Sequence, residues 1–456
     1  MQKYVALLAV LGIGLITCSK NESIHSDVQS IGTLPTGDSV QRFIVFFDPS
    51  VVQPLGSDTM FYAKTLDEQI VARNAVIQAV RHMLNPRGFT PDSLSILVDA
   101  NVAAIIRTTP DSARMLNTLS GVLAVQADAR IEGRPIQQGR PIQQTDVFQT
   151  MDNLPQDWGL QLTGTNYTSC AVLKAGGFQN ASTPQRSIWI VDTGIATDHP
   201  FLNVDRTRGR NFVPGENLMD ANDNNGHGTM VAGVAAARPI PWTVNGVTRN
   251  INAGVAPGAL VVPIRALDAS GSGYWISVYQ ALDYVFSQAR ARDVVNLSLG
   301  EYDRTLECAD RDGIVSVLQS LATKGCFIVM AAGNDGRNAR WNFPGCVKLP
   351  VNNGKMITVG AATCGRQCAL YSNYGRRVDY VAVGTDLFTT YLPNAGSWQF
   401  MVGSGTSLAT GIMSGVVYLR GARPLIKDKV YCRVIPRNRP DSGAQETFDY
   451  GVHRTE

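Results

Sequence analysis

Hydrophobic and polar positions change their rhythm along this chain, and each change marks a unit. In the first unit, residues 41–132, an apolar run at Phe43–Phe47 reads as a strand. A helical repeat follows, with Leu66, Ile70, Ile77, Val80 and Leu84 on one face and a capping-box spacing at Thr65 and Glu68. Ser95–Val98 and Ala103–Ile106 read as two more strands. Thr109 before Pro110 predicts a helix start, because proline at the first helical position lacks only an N–H that would have no helical partner there. "GVLAVQADARIEG" supplies a last strand. The order β-α-β-β-α-β predicts a small α+β, ferredoxin-like domain.

From about residue 155 short apolar runs alternate with amphipathic stretches. Strands are expected at 188–192, 260–265, 293–298, 327–331 and 356–360, and helices at 227–237, 275–289, 311–322 and 407–420. This alternation predicts an α/β fold, a parallel sheet with helices on both faces. Reactive groups in such folds gather at the carboxyl ends of the strands. Between the two units lies a tandem repeat, "GRPIQQGRPIQQ", Gly133–Gln144. Its prolines disfavour helix, so 133–154 is expected to be an extended, exposed linker open to proteolysis.

The N-terminus changes the picture of where the chain works. Lys3 precedes a twelve-residue uncharged run, Val5–Ile16, long enough for an export signal and too short to span a bilayer. Cys18 in "LITCSKNES" stands where a bacterial lipoprotein signal is cut, and an ordinary signal cleaved nearby is the other reading. Residues 1–18 are thus a signal, 19–40 a polar tether, and the protein is exported: secreted, or held at the cell envelope by a lipid at Cys18. Composition adds a globular balance, 44% hydrophobic and 17% charged over 456 residues, and a net charge of +3, too small to point to nucleic acid. There are eight cysteines, at 18, 170, 308, 326, 346, 364, 368 and 432, which an oxidising compartment can pair. With Cys18 lost or lipidated, at least one thiol is left over. "CGRQC" at 364–368 could be half a zinc site, but no second pair has ligand spacing, so a disulfide or free thiols are expected.

Candidate chemistry lies at predicted element ends. Asp192 closes an apolar strand in "SIWIVDTG", His227 opens a helix in "NNGHGTMVAG", Asn334 follows a strand in "VMAAGNDG", and Ser407 begins a helix in "GSGTSLATG". Each has a plain alternative: a turn aspartate, a helix-start histidine, a loop-capping asparagine, an N-cap serine. Ser404 and Ser414 lack these features. Together, in the order Asp, His, Asn, Ser, they offer a general base with its orienting acid, an amide donor for an oxyanion, and a nucleophile.

On "VDTGI", "NGHGTMVAG", "GVAPGA" (254–259), "NLSLG" (296–300), "AAGN" and "GTSLA", the chain resembles the subtilisin-like serine proteases, proteinase K-like branch, over roughly 155–420. Residues 41–132 resemble that family's inhibitory propeptide. The resemblance implies a serine endopeptidase acting on polypeptides and needing no cofactor for its chemistry. Ser407 would be the nucleophile, His227 the base, Asp192 its support and Asn334 an oxyanion donor. It further implies two backbone edges for an extended substrate, Gly271-Ser272-Gly273 and Ser298-Leu299-Gly300, with Trp275 lining an outer apolar subsite. The propeptide would be an intramolecular inhibitor, released by a cut within 133–155, with mature enzyme starting near Pro155, as a monomer. Asp379 matches a calcium-binding position of the branch, and a structural surface aspartate is the alternative. Three departures stand out: Gly411-Ile412 where the family has Pro-His, Met230-Val231 where the branch often has His-Cys, and a poor match after about 421. Glycine at 411 is expected to loosen its helix. Two rival readings are a non-catalytic binding protein on the same fold and an aspartic protease using Asp192 and Asp441. The second is weakened because "RPDSGAQ" has no apolar strand before it.

Overall fold

The computed structural model describes residues 39–48, 66–89, 96–97, 102–133, 137–142, 186–244, 247–251, 254–304, 308, 312–348, 354–363, 367–394, 397–420, 426–431 and 447–452. The expected export signal, the expected tether up to residue 38, Pro155, Cys170 and Asp441 lie outside them.

The first unit comprises β1 (Gln41–Phe47), α1 (Leu66–Leu84), β2 (Ile96–Leu97), β3 (Ala103–Thr108), α2 (Pro110–Leu116) and β4 (Val122–Ala127), with sheet order β2-β3-β1-β4 and every pair antiparallel. Thr109 caps α2 as its sequence predicts, accepting from Ser112 N. β1 is apolar on both faces for a physical reason. Phe43, Val45 and Phe47 pack with Val76, Val80 and Leu84 of α1 and Leu116 of α2. Ile44 and Phe46 face the other way, into a core shared with Tyr279, Ile314 and Val317. The Phe46 ring meets Tyr279 edge-on at 5.2 Å. Each such buried side chain contributes about 1.5–3 kcal/mol.

After β4 the chain leaves this sheet. Two short strands follow, β5 (Arg130–Gly133) and β6 (Gln137–Ile142). The large unit then runs β7 (Ser187–Asp192), β8 (Asn203–Val204), β9 (Arg210–Asn211), α3 (His227–Ala236), β10 (Ile240–Val244), β11 (Val247–Ile251), β12 (Leu260–Arg265), β13 (Ser272–Tyr274) and α4 (Trp275–Gln288). It continues with β14 (Val294–Leu297), β15 (Leu299–Tyr302), α5 (Asp312–Lys324), β16 (Phe327–Ala331), β17 (Asn342–Phe343), β18 (Met356–Ala362) and β19 (Tyr380–Val383). It ends with β20 (Leu387–Asn394), β21 (Ser397–Ser404), α6 (Thr406–Arg420), β22 (Ile426–Tyr431) and β23 (Thr447–Val452).

Ten of these strands form one sheet, ordered β22-β23-β19-β18-β16-β14-β7-β12-β8 with β9 also on β12. Its pairs are parallel except the β22–β23 hairpin, which adds the segment past 421 as an edge. Strand β7 shows why helices cover both faces. Ile188 and Ile190 join the core made with α3 and α6, while Trp189 and Val191 join the core made with α4 and α5. The five strands and four helices expected between 188 and 420 agree with the structure to within two residues at their ends.

Among the described residues, Cys308 and Cys346 form a disulfide, Cys368 is disulfide-bonded, and Cys326 is free. Burial pushes the Cys326 thiol up to about 12, with Asp293 adding to the rise, so it stays protonated and unreactive. No described helix is long and apolar enough to cross a membrane.

Candidate active site

Strands β16, β14 and β7 are neighbours and parallel, so their carboxyl ends share one edge of the sheet. Asp192 ends β7 and is fully buried. Its Oδ1 accepts from Thr193 N at 2.7 Å and lies 2.6 Å from His227 Nδ1. A buried carboxylate is tolerated only with such partners, and this one holds the imidazole by its inner nitrogen.

His227 opens α3, and the preceding loop is built to aim it. Asp223, buried, accepts from Asn225 N at 2.9 Å, Gly226 N at 2.8 Å, Thr229 N at 2.9 Å and Thr229 Oγ1 at 2.6 Å. Burial raises the Asp223 carboxyl above its ordinary range, and these donors offset only part of the rise. Gly226 has φ 105°, and the Tyr391 ring leaves no room for a Cβ, which would fall 2.2 Å from Tyr391 Cε2. The glycines beside His227 therefore serve the turn and its packing.

Asn334 follows β16. Its Oδ1 accepts from Thr406 N at 2.9 Å and Thr406 Oγ1 at 2.7 Å. With the oxygen tied to the start of α6, Nδ2 is turned away, buried and without a hydrogen-bond partner. A buried amide donor left open is costly in a resting protein, and this one stands beside the helix that carries Ser407.

Ser407 is fully buried at the first turn of α6. Its hydroxyl donates to Ser298 O at 3.3 Å, and its own carbonyl accepts from Ser298 Oγ at 3.0 Å. Ser298 stands just past β14. Behind it, Asn296 Nδ2 donates to Ser298 Oγ at 2.9 Å, and Ser414 Oγ donates to Asn296 Oδ1 at 2.9 Å. A chain of buried hydrogen bonds thus runs from the middle of α6 back to its first turn. Sequence pattern gives Ser414 none of the features of Ser407 and, although Asn296 opens the "NLSLG" motif, no role for its side chain, because their partnership joins residues 118 apart.

α3 and α6 cross closely. A Cβ at Gly411 would fall 2.7 Å from Val234 Cγ2 and 2.8 Å from Val231 O. Beside the expected cost to helix propensity, Gly411 thus has a packing role: its missing side chain is what allows the two helices to meet, with Met230 and Ile412 filling the same apolar core.

The two expected substrate edges both hold a strand of the chain itself. β5 lies between β13 and β15, antiparallel to each, with registers Ser272↔Glu132, Gly273↔Ile131, Gly300↔Glu132 and Leu299↔Gly133. Gly271 precedes β13 at a turn, its N–H donating to Asp268 O at 2.9 Å. Ile131 is fully buried with Trp275, Leu299 and Phe343, and the Trp275 and Phe343 rings meet edge-on at 4.8 Å. Trp275 thus lines an apolar seat, and Ile131 fills it. The expected last strand of the small domain is corrected here: β4 stops at Ala127, and Asp128 turns the chain into this cleft. Its Oδ1 accepts from Ile276 N at 2.9 Å in the first turn of α4, and its Oδ2 pairs with Arg42 at 2.9 Å. The repeat is likewise not a free linker over 137–142, because β6 pairs with β21.

Asp379 does not suit calcium. Lys348 Nζ pairs with its carboxylate, and Thr358 N donates to the same Oδ2 at 2.8 Å. Burial lowers the Lys348 pKa, the Asp379 carboxylate opposes that fall, and Arg377, a second positive charge nearby, adds to it. A divalent cation would have to displace an ammonium already seated there. Among the described residues there is also no group of three or more His, Cys, Asp or Glu side chains placed to hold a metal.

The profile of the subtilase family, peptidase S8, matches residues 185–431. The chain is 32% identical over 272 residues to a thermophilic serine proteinase of Bacillus sp. (strain AK1), covering 58% of this chain and 59% of that one. It is 35% identical over 243 residues to subtilisin Savinase of Lederbergia lenta, covering 53% and 75%. Thermitase of Thermoactinomyces vulgaris is 34% identical over 234 residues, covering 51% and 73%. The chain spans about three-fifths of the length of the first of these relatives.

Proposed function

The chain belongs to the subtilase family, and on that footing we propose that it is a serine endopeptidase of polypeptides, made as a precursor that holds its own chain in its substrate cleft. In this reading Ser407 Oγ bonds to the carbonyl carbon of the scissile peptide while His227 Nε2 takes the hydroxyl proton. Asp192 holds Nδ1 and supports the imidazolium that forms. The carbonyl oxygen, now negative, is received by Asn334 Nδ2 and Ser407 N–H. The C–N bond then breaks, His227 returns the proton to the leaving amine, and water hydrolyses the acyl-enzyme by the same steps in reverse order.

The observation that carries the proposal is β5 in the cleft. A strand of the same chain occupies the edges Ser272–Tyr274 and Leu299–Tyr302, its apolar side chain Ile131 seated beside Trp275, and runs toward Ser298, the residue bonded to Ser407. Past the serine, the chain resumes as β6 against β21 at Gln137↔Ser404. Such a strand is bound as a substrate is bound, and residues 41–132 act as an intramolecular inhibitor until it is cut. The cut falls within 133–154, and the two ladders favour the four peptide bonds from Gly133 to Gln137. The protein acts as a monomer outside the cytoplasm, secreted or held at the envelope through Cys18, on the strength of Val5–Ile16.

Two preparations test the activity. Wild type degrades casein and takes a fluorophosphonate label on Ser407, while Ser407→Ala does neither. Equal casein loss in both, or a label on another residue, overturns the proposal.

A further inference from the structure

Strands β18, β16, β14 and β7 are neighbours in the large sheet and run parallel. The backbone just before each of them therefore lies at one pole, opposite the edge that carries Asp192, Ser298 and Asn334. A cation stands before every one: Lys355 before β18, Lys324 before β16, Arg290 and Arg292 before β14, and Arg186 before β7. The loops that bear them touch. Arg292 N donates to Gly325 O at 2.9 Å, and a Cβ at Gly325 would fall 3.1 Å from Ala291 Cβ and 3.8 Å from Lys355 Nζ.

Two of these cations have local partners. Lys324 Nζ donates to Phe286 O, and Lys355 Nζ donates to Ala322 O at 3.3 Å, both carbonyls near the ends of α4 and α5. The three arginines differ, for none makes an ion pair with a described residue. The acid among them, Asp293, is buried and fully engaged. Its Oδ1 accepts from Ser187 N at 2.9 Å, and its Oδ2 accepts from Trp189 Nε1 and Arg290 N, each at 3.0 Å. Arg290 and Arg292 are exposed. Arg292 has φ 77°, a left-handed conformation that favours glycine, and the chain carries an arginine there instead. Arg186 lies 5.0 Å over the Tyr418 ring, with its Nη1 buried and without a hydrogen-bond partner. Burial lowers its pKa, and the neighbouring charge of Arg292 lowers it further.

We propose that this basic pole is a docking surface for a membrane rich in anionic phospholipid. Charge complementarity argues for it: the whole chain carries a net charge of only +3, yet these cations gather at one pole around a single buried acid. Guanidinium groups match phosphate oxygens two at a time. The cations spread over four neighbouring strands, about 14 Å across, which makes a patch suited to a broad surface. A chain exported on the strength of Val5–Ile16 meets such a surface. Docked by this pole, the protein turns the opposite edge, with Ser298 and Asn334, away from the lipid and toward passing polypeptides. One consequence rests on the protease reading: a cut within 133–154 discards Cys18, and the pole then keeps the mature enzyme at the envelope without a lipid anchor.

The exported protein carrying Cys18→Ser, which can take no lipid there, is sedimented with phosphatidylcholine vesicles made with and without phosphatidylglycerol. Binding is expected only with phosphatidylglycerol, and molar salt should release it. Arg290→Gln/Arg292→Gln should lower the partition coefficient about tenfold. Arg337→Gln/Arg340→Gln removes two exposed arginines beyond the carboxyl end of β16 and should lower it less than about twofold. Neither pair should shift the melting temperature, so a difference between them reports the surface and not the fold. Equal binding to both kinds of vesicle, or an equal loss in the two variants, overturns the inference. So does retention on heparin without binding to phosphatidylglycerol vesicles, which would assign the pole to a soluble polyanion. Failure of the protease reading is separate: fluorophosphonate then leaves Ser407 unlabelled, while vesicle binding is unchanged.

Discussion

The hydroxyl of Ser407 rests on a backbone carbonyl of the strand edge a substrate would use, and a hydroxyl of that same residue, Ser298, holds the Ser407 carbonyl. Ser407, the proposed nucleophile, is thus seated by a buried polar chain reaching back to Asn296 and Ser414. Ser414→Ala leaves Asn296 Oδ1 without this donor. The expected cost is about 1–3 kcal/mol of stability, read from the urea midpoint, and a several-fold lower kcat at unchanged KM. A variant with full kcat and full stability would show that the chain does not position Ser407. Asn334 allows a sharper separation. Asn334→Asp keeps the oxygen that accepts from Thr406 but loses the Nδ2 donor. Its kcat is expected to fall about 10²–10³-fold with KM nearly constant, and a kcat near wild type would remove Asn334 from the oxyanion site. The places of Asp192, His227, Asn334 and Ser407 at element ends were legible because each sits in a dense local motif. Asn296, Ser414 and Asp223 were not, because their meaning lies in partners that only the fold brings near.

At the scale of elements, the α3–α6 crossing sets two opposed effects against each other. Gly411→Ala gains up to about 1 kcal/mol of helix propensity. It also drives a Cβ into Val231 O and Val234 Cγ2, and overpacking of this kind costs about 1–3 kcal/mol. A lower melting temperature is expected, and a higher one would mean the helices separate easily. Under β21, His199 accepts from Phe201 N at 3.3 Å through Nδ1, while Nε2 is buried without a hydrogen-bond partner among aromatic rings. Burial lowers its pKa from 6.5 to about 4. The unfolded chain therefore binds more protons between those values. The stability tied to neutral His199 is complete above pH 6.5 and is lost as pH falls toward 4, on the order of 3 kcal/mol in all. His199→Phe should flatten that part of the stability–pH curve, and an unchanged slope would place the titration elsewhere. The repeat shows the limit of reading elements from pattern. Its prolines correctly exclude helix, but pairing of β6 depends on β21, more than two hundred residues later.

For the whole molecule, apolar periodicity carried the architecture. Runs such as Ser187–Asp192 are buried on both faces and can only be central strands of a covered sheet. What pattern could not give is how the small sheet sits. Ile44 and Phe46 alternate with Phe43, Val45 and Phe47 in an unbroken apolar run, and only the structure shows that one set packs on α4 and α5. Calcium is a second property of the whole. With Lys348 on Asp379, EDTA should shift the melting temperature of the Ser407→Ala protein no more than it shifts that of Ser407→Ala/Asp379→Asn. A larger EDTA effect when Asp379 is present would restore it as a calcium ligand.

The central claim is that this chain lies in its own cleft as a substrate and is cut there by Ser407. Intact-mass and N-terminal analysis of purified wild type and Ser407→Ala tests it directly. Wild type is expected to split, with the first new N-terminus at one of residues 134–137, and Ser407→Ala to stay joined across that segment. A wild type that remains whole, a first cut outside 133–154, or the same cut in Ser407→Ala would contradict it.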